Sequence, residues 1–112
     1  MVALPSHIPR GHEQQGTRPA VVVGTVWGEV RYPTIAIVPV TTQTGSWSRS
    51  NPSLYPLLEA GAGGLSQSSI VLIDQVRALD MRRVLAYLGT LTLQQYTPIL
   101  SGLRQFLRRE DS

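Results

Sequence analysis

Apolar positions in this chain fall into short clusters separated by turn-forming residues, a pattern of strands more than of long helices. Ala20 to Val23 is a β-branched cluster ended by Gly24. Thr34 to Thr41 is the strongest strand, with Ile35, Ile37 and Val40 supplying bulk for a core. Pro39 inside that run predicts an edge position or a bulge, because proline has no N–H to give to a ladder. Ser69 to Gln75 reads as a buried strand from Ile70, Val71, Leu72 and Ile73, closed by the polar pair Asp74-Gln75, and Val76 to Asp80 continues it. Leu54 to Glu59 gives a further short strand. For Val84 to Leu88 the periodicity does not decide between a strand and a helical turn. The intervening segments are polar: residues 1 to 17 as an arm or loop, Thr25 to Pro33 as a hairpin connection, Thr42 to Pro52 as a Ser/Thr/Gly/Asn loop, and Gly61 to Ser68 as a second flexible loop.

Only the C-terminal quarter carries a helical period. Leu93, Tyr96, Leu100, Leu103 and Leu107 recur at spacings of three and four and line one face, which reads as packing. Two starts compete. Thr92 with Gln95 three residues on resembles a capping box, but the helix would then hold Pro98 in its interior at a cost of about 3 kcal/mol. A start with Thr97 as N-cap and Pro98 at the first position avoids that cost. It is the preferred reading, with Leu93 to Tyr96 as a separate turn. Five or more short strands and one terminal helix, in a chain of 112 residues, predict one α+β domain over 1–112 built as a small β-barrel, with residues 1–10 as an arm or a shortened first strand.

Composition narrows the chemistry. The chain is 42% hydrophobic, consistent with a globular domain. Its longest apolar run, Ile35 to Val40, is far too short to cross a bilayer. Met1 to Pro9 lacks the charged and apolar regions of a signal peptide, so a cytoplasmic protein without membrane contact is expected. With no cysteine, disulfides and thiol catalysis are excluded. The two histidines, His7 and His12, have no acidic pair at ligand spacing, so neither a metal nor any other cofactor is expected. The net charge of +3 and pI near 10.0 come from ten arginines without a lysine. A GC-rich genome gives the same usage, but guanidinium groups also suit phosphates as bidentate donors that stay protonated.

Polar residues fastened to the ends of apolar strands are better placed for chemistry than residues at loop tips. Three such places exist: Arg18 before Ala20 to Val23, Thr41-Thr42 after Ile35 to Val40, and Asp74-Gln75 after Ile70 to Ile73. Singly, each is an ordinary solvated strand end. Together, a cation, hydroxyls and a carboxylate describe a site for a phosphodiester.

These places coincide with a family pattern. The segment GHEQQGTRP, Gly11 to Pro19, resembles the signature loop of MazF/PemK toxins. TIAIVPVTTQ, Thr34 to Gln43, resembles their strand ending in Pro-x-Thr-Thr or Ser. SIVLIDQVRALDMRR, Ser69 to Arg83, resembles their third motif, a strand followed by an acidic residue, Gln and a later Arg-x-x-Asp. The three stand in family order, and the match runs from Gly11 to about Leu107.

The resemblance implies an SH3-like barrel of the CcdB/MazF type with a C-terminal helix, forming a homodimer. It implies a metal-independent endoribonuclease that cuts single-stranded RNA by activating the ribose 2′-hydroxyl at the scissile bond, leaving a 2′,3′-cyclic phosphate and a 5′-hydroxyl. Such cleavage needs a base, an acid and positive charge at the phosphorus. By position in the motifs, Arg18 would stabilise transition-state charge, Thr41 would hydrogen-bond the scissile phosphate and Asp74 would act as base or base-recognition group. His12, Glu13, Gln14, Thr42, Gln75 and Arg77 would contact substrate, His12 with a side chain suited to proton handling. A cognate MazE/PemI-like antitoxin would lay an acidic segment over the RNA groove, and DNA would be met only through that complex. Trp27, Tyr32, Trp47 and Tyr55, near Arg31 and Arg49, suit base stacking as well as they suit the barrel ends or the antitoxin interface.

The sequence departs from the pattern twice. A Kid-like branch of the family carries a catalytic arginine two residues before the acid, where this chain has Leu72, so more weight falls on Arg18 and Thr41. The usual first strand is reduced to Met1-Val2-Ala3-Leu4 at most. Two rival readings follow: a CcdB-like gyrase poison, disfavoured by the Arg109-Glu110-Asp111-Ser112 ending where those toxins have Trp-Gly-Ile, and a degenerate, inactive toxin serving as a binding module.

Overall fold

A computed structural model of the chain describes residues 2–4, 16–25 and 33–108. Strand β1 (Val2–Leu4) pairs antiparallel with β2 (Gly16–Arg18), so the shortened first strand is formed. Pro19 then interrupts the ladder, and β3 (Ala20–Thr25) runs antiparallel to β4 (Thr34–Thr41), with a bulge between Val22 and Gly24. A four-residue helix α1 (Ser46–Arg49) lies inside the expected Thr42 to Pro52 loop. Next come β5 (Leu57–Leu58), β6 (Ser69–Val71) and β7 (Arg77–Asp80), and the chain closes with helix α2 (Leu93–Leu107). The larger sheet has the order β3-β4-β6-β5, with β7 beside β4, and all its pairings are antiparallel. Among the described residues these pairings form an open five-stranded sheet. No described helix is long and apolar enough to cross a membrane.

Pro39 corrects the expectation of an edge: β4 is the central strand, and Pro39 is fully buried in it. Nor is the bulge at Pro39; it lies on β3. The proline is tolerated because the partner strand leaves the ladder there. β6 pairs with Val40 and Thr41, Leu72 donates its N–H to the Pro39 carbonyl at 2.9 Å, and the chain then lifts into a 3-10 turn at Ile73–Gln75. Pairing resumes as β7, from Arg77 opposite Ile37 to Asp80 opposite Thr34. The expected strand over Ser69 to Gln75 is therefore three residues plus a turn, and Val76 to Asp80 supplies a separate strand beside β4. Leu54 to Glu59 contributes only Leu57–Leu58. Val84 to Leu88 is neither strand nor helical turn; past a bridge at Val84 it is irregular and exposed.

Both faces of β4 are buried. Val38 and Val40 join Leu58, Val71, Ile73 and Ile99 in the main core, while Ile35, Ile37 and Leu79 form a smaller cluster on the other face. Fully buried Ile37, Ile73 and Ile99 contribute roughly 1.5–3 kcal/mol each by removal from water.

Helix α2 starts earlier than preferred. Thr92 is its N-cap: the Thr92 hydroxyl accepts from the Gln95 N–H at 3.1 Å and the Gln95 side chain accepts from the Thr92 N–H at 2.8 Å. Pro98 lies inside the helix. The packed stripe also shifts, to Tyr96, Ile99 and Leu103, with Leu93 79% and Leu107 63% exposed. At Gly102 a Cβ would stand 2.2 Å from the Ser53 carbonyl oxygen, so the absent side chain is what lets the helix approach so closely.

Candidate active site

The antiparallel register sets Ala20 opposite Pro39, and the Val40 N–H donates to the Pro19 carbonyl at 3.2 Å, one residue beyond the ladder. Arg18 and Thr41 are the next residues outward on the two strands. Continuing that register outward places the backbones of Arg18 and Thr41, 23 positions apart in the chain, at neighbouring strand ends, with Arg18 exposed and Thr41 half-buried. The Thr41 Oγ1 accepts from the Gln43 N–H at 3.2 Å. That contact holds the rotamer and leaves the hydroxyl proton for donation to an oxygen outside the chain. Thr42 is exposed beside it.

Alternation along β4 puts Thr41, Pro39, Ile37 and Ile35 on one face. Their cross-strand partners Ile70, Arg77 and Leu79 share that face. Leu72, level with Pro39, is buried there as well. Arg77 lies four residues along β4 from Thr41, about 13 Å at strand spacing, so it is on the same face without touching the Arg18–Thr41 end.

Asp74 is exposed because it sits on the 3-10 turn that Pro39 opens in the ladder. Its Oδ2 accepts a hydrogen bond from the Tyr55 hydroxyl at 2.7 Å. Tyr55 is brought there by backbone bonds on either side of it, from Ile73 N–H to the Leu54 carbonyl at 3.2 Å and from Val71 N–H to the Pro56 carbonyl at 2.8 Å. The bond to Asp74, followed by burial and the neighbouring negative charge, raises the Tyr55 pKa above its ordinary value. The Tyr55 ring meets Trp47 edge-on, with centroids 4.9 Å apart and planes at 88°. Nothing in the sequence signals this hydrogen bond, although the two aromatics were visible as stacking candidates. Gln75 is half-buried on the same turn.

At the far end of β7, Arg82 grips both carboxylate oxygens of Asp80, the closest contact being 2.6 Å, and its backbone N–H also donates to Asp80. The hydrogen bonds from Arg82, with further help from its charge and that of Arg83, lower the Asp80 pKa to about 2. This pair closes the turn after β7. His12, Glu13 and Gln14, with Trp27, Arg31 and Tyr32, lie outside the described residues.

Residues 1–107 match the model of a family described as PemK-like, MazF-like toxin of type II toxin–antitoxin system. The match spans nearly the whole chain, including every strand and the terminal helix above. The chain belongs to the PemK-like, MazF-like family of type II toxins, whose members work opposite a cognate antitoxin.

Proposed function

We propose that this toxin is a metal-independent endoribonuclease that cuts single-stranded RNA, messenger RNA above all, at a short sequence motif. The observation that carries the reading is the β3–β4 register, which ends at Ala20 opposite Pro39 with the Val40 N–H on the Pro19 carbonyl and so supports Arg18 and Thr41 as neighbours one step further out. In the reaction the ribose 2′-oxygen attacks the adjacent phosphorus and the bond to the 5′-oxygen breaks. The products are a 2′,3′-cyclic phosphate and a 5′-hydroxyl. Charge grows on the non-bridging oxygens, where a guanidinium and a hydroxyl fixed to strand ends are most effective because they need not reorganise. Asp74, from its place in the third motif, is either the base for the 2′-hydroxyl or a group that reads a nucleobase, and His12, from its place in the signature loop, is able to take or give the proton. Thr42, Gln75 and Arg77, with Glu13 and Gln14, extend the surface along which substrate would run.

Further parts of the reading rest on family membership. The open sheet closes into an SH3-like barrel, and two copies form a homodimer in the cytoplasm. The exposed apolar run of Met81, Val84, Leu85, Tyr87 and Leu88 supports an interface between protein chains. The antitoxin is an acidic, extended segment competing with RNA for the basic groove, and DNA is reached only through that complex.

The direct test is cleavage of a single-stranded RNA by the purified chain in EDTA. Wild type cuts, and Arg18→Ala loses at least about 100-fold in rate, the scale for removing a charge-stabilising donor. Full activity in the variant removes Arg18 from the site. Absence of cutting by wild type favours a degenerate toxin or a gyrase poison.

A further inference from the structure

Trp47, Tyr55 and Asp74 form a continuous array, with Trp47 and Asp74 exposed and Tyr55 half-buried. The edge contact joins the two rings, the 2.7 Å hydrogen bond joins the second ring to the carboxylate, and Trp47 is 43% exposed although it is the largest apolar side chain on α1. The position of the indole is fixed from beneath. A Cβ at Gly45 would lie 2.7 Å from the Trp47 ring nitrogen, so the ring lies close over a residue without a side chain. Buried Ser48 staples the same turn, its Oγ accepting from the Gly45 N–H at 3.2 Å and donating to the Gly45 carbonyl at 2.9 Å. An aromatic side chain held this firmly yet left open is more than a space-filler, since packing alone would be served better by burying it.

We infer that this array is a nucleobase subsite: Trp47 offers a stacking face, and Asp74, oriented by Tyr55, accepts a hydrogen bond from an exocyclic amino group. The inference rests on the endoribonuclease reading and deepens it by naming what the site reads. An ionised carboxylate is acceptor-only, with about four lone-pair positions, of which the Tyr55 hydroxyl takes one. The exocyclic amino groups of cytosine and adenine supply the matching donor, as does the N2 amino group of guanine. Uracil presents carbonyl oxygens where those bases carry the amino group, and carbonyl against carboxylate is repulsive. Stacking on Trp47 is indifferent to base identity, because every base has a π-face. The two side chains therefore divide the work: Trp47 supplies affinity, and Tyr55 is a positioning residue that supplies discrimination through Asp74.

Fluorescein-labelled 2′-deoxy hexanucleotides of cytosine, adenine or uracil test this, since without a 2′-hydroxyl they bind without being cut. Anisotropy titrations of the full chain are expected to give Kd values for the cytosine and adenine probes about fivefold or more below that for uracil. Tyr55→Phe, which keeps the ring against Trp47, brings that ratio below about twofold. Trp47→Ala weakens all three probes by about tenfold with the ratio preserved, and Trp47→Phe restores most of the loss. Circular dichroism shows that each variant is folded. Undiminished discrimination in Tyr55→Phe, or undiminished binding in Trp47→Ala, overturns the subsite. A wild type that cuts RNA without preferring the amino-bearing probes overturns the subsite and leaves the nuclease reading intact; one that neither cuts nor binds defeats both.

Discussion

The hydroxyl of Thr41 is a small group with a large assignment. It accepts from the Gln43 N–H, and its own proton is available for donation at the end of a buried strand. Thr41→Val keeps the β-branched shape and removes only that donor, so cleavage is expected to slow by about 100-fold with the fold intact, and Thr41→Ser to recover most of the rate. A Thr41→Val enzyme within twofold of wild type in single-turnover cleavage would take Thr41 out of the chemistry. Asp80 shows a different kind of residue effect, on stability. Its pKa is lowered to about 2, chiefly by the side-chain hydrogen bonds from Arg82, against about 3.9 for an unfolded chain. A depressed folded-state pKa means the contribution is complete above about pH 4 and is lost as pH falls through about 2. The difference in Tm between wild type and Asp80→Asn should be constant from pH 7 to 5 and close to nothing near pH 2. It should also be small throughout, because the pair is exposed. A difference that grows on acidification would contradict the assignment.

At the scale of elements, Pro39 and Pro98 show where local rules were overruled. The strand from Thr34 to Thr41 was legible to the residue, because bulky β-branched side chains leave few alternatives. Its central place was not legible. The missing N–H of Pro39 argued for an edge, and only the departure of the neighbouring strand at Leu72 resolves the conflict. The same departure exposes Asp74, so one proline shapes both the sheet and the carboxylate's position. In α2 the sequence set the proline penalty against the capping box. The box prevails because the added first turn carries Tyr96 onto the core and satisfies both capping hydrogen bonds, against one hydrogen bond lost at Pro98. Thr97 also donates its hydroxyl to the Leu93 carbonyl at 2.7 Å, which satisfies an acceptor in that turn. The stripe was misread for a related reason: Ile99 and Gly102 face the core through contacts with distant segments, which no periodicity contains. Gly102→Ala places a methyl group 2.2 Å from the Ser53 carbonyl oxygen and should destabilise by about 1–3 kcal/mol in urea denaturation, as overpacking does. A neutral effect would mean that helix and loop separate freely.

For the whole molecule, the class of fold and the family were readable because three motifs stood in order along the chain, and the family match over residues 1–107 agrees with both. What the sequence left open is what only three dimensions supply: a register that runs β3 against β4 up to Ala20 and Pro39, just short of Arg18 and Thr41, a turn that presents Asp74, and a tyrosine that holds it. On the proposed reading, RNA is cleaved by its own ribose, with the protein supplying charge and position. The chemistry of the new ends reports on that most directly. After digestion of a single-stranded RNA by the purified chain in EDTA, mass spectrometry of the fragments should find 2′,3′-cyclic phosphates, or their hydrolysed monophosphates, paired with 5′-hydroxyls. A single 2′-deoxy substitution on the 5′ side of the cut should block it. Fragments ending in 3′-hydroxyl and 5′-phosphate, or cleavage that ignores the 2′-deoxy substitution, would contradict the account.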